Sequence, residues 1–118
     1  MPITTAIPIA LIALLHFYFL ILEMFFWTKP KGIKAFKLES VDFAEKTKVL
    51  AANQGLYNGF LGAGLLFSIY EANLRLASFF LLCVLIAGLY GFYSTKNKVI
   101  LFVQAVPAIL VFVFFILF

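Results

Sequence analysis

Apolar residues gather into four runs, 7–27, 49–69, 74–93 and 99–118, parted by three polar connections. Each run is close to the ~20 residues an α-helix needs to cross ~30 Å of hydrocarbon. Lipid offers backbone N–H and C=O groups no partner, so such runs are expected to be helices that bond internally. The pattern predicts an all-α membrane protein. It is expected to be one transmembrane domain over 1–118, with helices about 6–27, 43–70, 74–94 and 99–118. The short second and third connections make neighbours antiparallel, which gives a four-transmembrane-helix up-down bundle. The 28–42 connection is the only long one. Lys29-Pro30-Lys31-Gly32 ends the first helix. Beyond it, Ile33, Phe36, Leu38 and Phe43 alternate with lysines. That mixture fits a short segment on an anionic membrane surface, and fits an ordinary solvated loop equally well. Asp42 and Glu45 have the spacing of an acidic capping box for helix two. The first run has no basic leader and no small-residue cleavage site after it, so it reads as a retained helix.

Composition and charge add direction to this picture. The chain is 65% hydrophobic and 12% charged, against about 25% charged residues in soluble domains. This inventory builds no soluble surface. The net charge of +4 points to topology rather than nucleic acid, because the basic residues are sorted by connection. Lys29, Lys31, Lys34, Lys37, Lys46 and Lys48 lie on the first connection, Lys96 and Lys98 on the third, and Arg75 alone on the second. The positive-inside rule then sets the first and third connections in the cytoplasm and both termini outside the cell membrane. Glu71 and Arg75 are expected to form a solvated pair on the outer turn. Cys83 is the one cysteine. It excludes an intramolecular disulfide and reads as a small buried hydrophobe.

Against this apolar background the polar residues stand out. His16 and Glu23 are seven residues apart, so they share one helical face, ~10 Å apart along the axis. An ionisable group facing lipid is costly, which predicts that this face turns inward. Depth along each helix supplies companions. Glu23, Asn53, Gln54, Tyr90 and Gln104 fall near the cytoplasmic ends of their runs, with His16, Tyr57 and Asn58 nearer the midplane. The expectation is a polar pocket of these eight residues, open to the cytoplasm and closed by an apolar outer half. The competing reading makes the amides and Tyr interhelical hydrogen-bonding glue. Pro107, one turn past Gln104, has no N–H and leaves the Val103 carbonyl without its helical donor. Small residues at Ala51, Gly55, Gly59 and Ala63, and again at Ala87 and Gly91, predict close helix packing, inside the bundle or in a homo-oligomer.

The segments LEMFFW, VLAANQGLYNGFLGAGL and VQAVPA resemble a small bacterial family of four-helix integral membrane proteins known as a domain of unknown function. The resemblance spans nearly the whole chain. It implies four transmembrane helices and no established activity. A weaker likeness is to the membrane-associated eicosanoid and glutathione enzymes, whose helix-two Asn would match Asn53. Leu56 stands where those enzymes have an acid, and their glutathione-binding arginines are missing. Small multidrug transporters also carry a Glu in helix one, but their dual topology needs little lysine bias, unlike the bias here.

No phosphate loop, HExxH or nucleophile elbow occurs in the sequence. One His and one Glu do not make a metal site, and no cofactor is expected. The reading is a homo-oligomer among membrane lipids that binds or moves a small or amphipathic ligand, with no nucleic-acid partner. The alternatives are a small membrane enzyme acting on a lipid-soluble substrate, with acid–base chemistry at Glu23, and an accessory protein whose polar cluster is structural.

Overall fold

A computed structural model describes residues 1–117; Phe118, the expected end of the fourth span, lies outside the described residues. The described chain is all helix and turn. α1 is Ile3–Phe25, α2 Pro30–Phe36, α3 Val41–Tyr70, α4 Leu74–Thr95, α5 Lys98–Ile100 and α6 Val106–Leu117, with a π-helical turn at Leu101–Ala105 joining the last two. Among the described residues three helices are long and apolar enough to cross a membrane: α1, α4 and the continuous stretch Lys98–Phe115. The expected second span is α3, the longest helix at 30 residues. It falls outside that apolar set because its first turns are charged and Asn53, Gln54 and Asn58 interrupt its middle.

The chain packs as two compact units, one formed by Leu14–Gly62 and the other by Met1–Ala13 with the chain from Ala63 onward. Both α1 and α3 contribute residues to each unit.

In Leu14–Gly62 the long connection holds a short helix, α2. Pro30 occupies the first turn of α2, where its missing N–H is not needed. Lys37, at φ 52°, closes the helix in the left-handed region. A Cβ at Gly32 would stand 2.0 Å from the Phe26 carbonyl oxygen, so glycine alone lets α2 sit this close to the end of α1. The Trp27 indole ties both neighbours down. Its Nε1 donates to Thr47 Oγ1 at 3.0 Å, and its ring lies 5.1 Å from that of Phe36. Lys31 Nζ stands 5.5 Å from the Tyr18 ring, a cation–π contact. The cap of α3 also differs from expectation: the Phe43 N–H donates to Ser40 Oγ at 3.0 Å. Asp42 pairs with Lys46 at 3.0 Å instead. A serine just before the first turn reaches the orphan N–H better than an acid already inside the helix.

In the other unit, Asn73 caps α4 by accepting from the Leu76 N–H at 3.1 Å. Ala77, Leu81, Val84 and Gly88 form the buried stripe of α4, at the spacing of a helix face. Gly88 marks the closest approach to the last helix, since a Cβ there would stand 2.7 Å from the Ala105 backbone N and 3.0 Å from its Cα. Gly91 approaches Ile100 similarly. Of the expected pair, Gly91 takes part in this contact, while Ala87 is exposed and Gly88 is the buried residue beside Ala105. The π turn lies immediately before Pro107, and the Val106 N–H bonds back to Leu101. A proline that withholds its donor and crowds the preceding turn favours such local widening. Glu71 and Arg75 form no ion pair among the described residues. Arg75 instead lines a groove of about 410 Å³ with Leu74, Ser78, Phe112 and Phe115.

Candidate functional site

The site begins with glycine. Ala51, Gly55 and Gly59 are buried on one face of α3. A Cβ at Gly55 would lie 2.7 Å from Met24 Cγ, 3.1 Å from Glu23 Cβ and 3.2 Å from the Leu20 carbonyl oxygen. A Cβ at Gly59 would meet Leu20 Cδ1 at 2.5 Å. α3 therefore lies close against α1 along this stretch of Leu14–Gly62, meeting the Leu20 carbonyl and the side chains of Leu20, Glu23 and Met24. Ala63, the expected fourth rung, is exposed and takes no part.

That approach carries Glu23 inward. It is buried, with 8% of its surface exposed. Asn58 lies three residues after Gly55, about 60° away around the helix. Its Nδ2 donates to Glu23 Oε1. An unprotonated carboxyl oxygen only accepts, so the amide nitrogen is the end that faces Oε1. Glu23 Oε2 accepts no hydrogen bond among the described residues. Since no fully buried side-chain polar atom there lacks a partner, Oε2 reaches accessible surface.

His16, two turns before Glu23 on α1, is fully buried and stands edge-on to Phe19 at 5.4 Å. The remaining expected pocket residues divide. Asn53, Gln54 and Tyr57 are exposed. Asn53 sits ~140° around α3 from Asn58, because each residue turns the helix by ~100°. A depth matched to that of Glu23 therefore did not bring Asn53 onto the face of Asn58. Tyr57 pairs with the Phe60 ring at 6.1 Å. Tyr90 is 67% exposed and pairs with Tyr93 at 6.2 Å. Gln104 lies half-buried within the π turn and has an interaction of its own. Within Leu14–Gly62, Asn58 is the member of the expected set that bonds Glu23. Among the described residues no three His, Cys, Asp or Glu groups come together to hold a metal ion. The contacts of Gly32 and Trp27 were not foreseen. A glycine two residues after a helix-breaking Lys-Pro and five after the lone Trp is the signal that marks them.

Comparison with known proteins places this arrangement. A family profile described as Protein of unknown function (DUF1304) matches residues 10–116. The chain belongs to this family. The matched stretch takes in the Glu23–Asn58 contact, Gly32 and the π turn of the DUF1304 chain. A relative, "Uncharacterized protein YpaA" of Lactococcus lactis subsp. lactis (strain IL1403), is 33% identical over 104 residues, covering 86% of this chain and 87% of the relative. No solved structure matches the chain significantly. The membrane-like helices agree with the resemblance drawn from the sequence, and the family carries no activity to transfer.

Proposed function

We propose that this protein is a multi-pass membrane protein that binds or moves a small or amphipathic ligand at Glu23. On this reading α3 is a fourth span, the lysine-rich first and third connections lie in the cytoplasm, and both termini lie outside. The whole chain then forms one up-down transmembrane domain in the cell membrane. The observation that carries the proposal is the state of the Glu23 carboxyl group. It is buried in an apolar helix, held at Oε1 by Asn58, and open at Oε2. An acid retained at such depth is a poor structural choice when glutamine would accept the same hydrogen bond. A ligand with a hydrogen-bond donor would complete the second oxygen.

The test uses Glu23→Gln, which keeps the acceptor for Asn58 and removes the acid. Wild type and variant are reconstituted in nanodiscs made from native membranes and released for intact-mass measurement. The proposal expects a small-molecule adduct on the wild type that is missing from an equally stable variant. Identical adduct patterns on both proteins would reduce Glu23 to interhelical glue.

A further inference from the structure

The outward side of α3 holds polar groups that the Glu23 site does not use. Asn53 sits at its centre, about 7.5 Å beyond Lys48 along the helix axis. Neither Asn53 nor Gln54 makes a side-chain hydrogen bond among the described residues. Lys46, Val49, Asn53, Leu56 and Phe60 are all exposed, and they follow one another at intervals of three and four. That interval is the seam of a two-helix contact, and a single Asn in such a seam sets its register. Val49 is 70% exposed and Phe60 57%, so the seam is uncovered over its whole length.

We infer that this face of α3 is the contact surface for a second copy of the chain, with Asn53 paired to Asn53 across a two-fold axis. The occupant follows from three features. Hydrocarbon cannot satisfy an amide, so the face needs a polar partner. The lysine asymmetry between connections gives every copy the same orientation, so a symmetric pair must have its axis along the membrane normal. Such an axis sets the centre of one α3 opposite the same residue of the other. A carboxamide suits that position because it donates and accepts, and two copies bond each other reciprocally. Lys46 meets its own copy at the aqueous end, where Asp42 already holds it at 3.0 Å.

The inference rests on α3 lying in the bilayer, as proposed above, and the experiment separates the two. In a Cys83→Ala background, Asn53→Cys, Phe60→Cys and Leu14→Cys are made singly and oxidised in native membranes with copper phenanthroline. Disulfide-linked dimers are expected from the first two and not from Leu14→Cys, an exposed position on α1. Phe60→Cys keeps Asn53, so it reads the contact even if Asn53→Cys folds poorly. Dimers from all three positions would mean random collision and overturn the inference. No dimer from either α3 position overturns it as well. A membrane-impermeant maleimide then decides the rest. Failure to label Asn53→Cys leaves α3 in the bilayer, and ready labelling removes it from the bilayer too. Asn53→Leu should weaken dimerisation in detergent about tenfold, with Asn53→Gln retaining most of it.

Discussion

Two helix contacts in this protein are built by the same device and put to different use. In Leu14–Gly62, Gly55 and Gly59 bring α3 against α1. In the other unit, Gly88 and Gly91 bring α4 against the start of the last helix. The second contact meets Ala105 and Ile100, and its nearest neighbour is the rigid backbone of Ala105. The first contact meets mostly side chains, Met24 and Leu20, and it leaves a carboxyl group bonded to an amide. Close approach is therefore a general packing solution in this chain. An ionisable residue lies beside the glycine only in the first of the two contacts.

The comparison can be broken by substitution, with unfolding in detergent or lipid as the measure. Gly88→Leu should have the largest effect, a loss of about 3 kcal/mol, because the Ala105 backbone cannot yield. Rescue by a shrunken neighbour is ruled out there, since position 105 is already alanine. Asn58→Leu should follow at about 2 kcal/mol, the price of a buried carboxyl oxygen left without its donor. Gly55→Ala should cost about 1 kcal/mol, because Met24 can swing away while Glu23 Cβ and the Leu20 carbonyl cannot. Gly59→Ala should be close to neutral. Its one near clash is the flexible end of Leu20, and alanine's helix propensity offsets it by up to ~1 kcal/mol. Equal losses at Gly55 and Gly59 would show that the contact is looser than drawn.

The helical class, the membrane character and the family were legible from run lengths and three short segments. The inward turn of Glu23 followed from the cost of an acid in lipid. What the reading missed was azimuth. Depth is obtained by counting residues from a helix end, and it set Asn53 and Gln54 level with Glu23 and Asn58 one layer deeper, although Asn58 is the amide that bonds Glu23. Their direction also needs to be known, and it turns ~100° with each residue. The Ala51–Gly55–Gly59 ladder already marked the packed face of α3. Asn58 lies ~60° from Gly55, while Asn53 lies ~160° away, so the ladder distinguished the inward amide from the outward one. On α4 the buried residue beside Ala105 is Gly88, one position from Ala87. The α2 helix and the π turn were hidden for a different reason. Each carries a local mark, Gly32 after Lys-Pro and Pro107 after Gln104, but the close approaches of Gly32 to Phe26 and of Gly88 to Ala105 arise only between helices.

The central claim is that Glu23 is buried yet reachable at one oxygen. A lipid-soluble carbodiimide tests it directly in native membranes, with the modified peptide located by mass spectrometry. The account predicts that Glu23 is modified in the folded protein and that Glu23→Gln abolishes that adduct. Modification of Glu23 only after denaturation would contradict it.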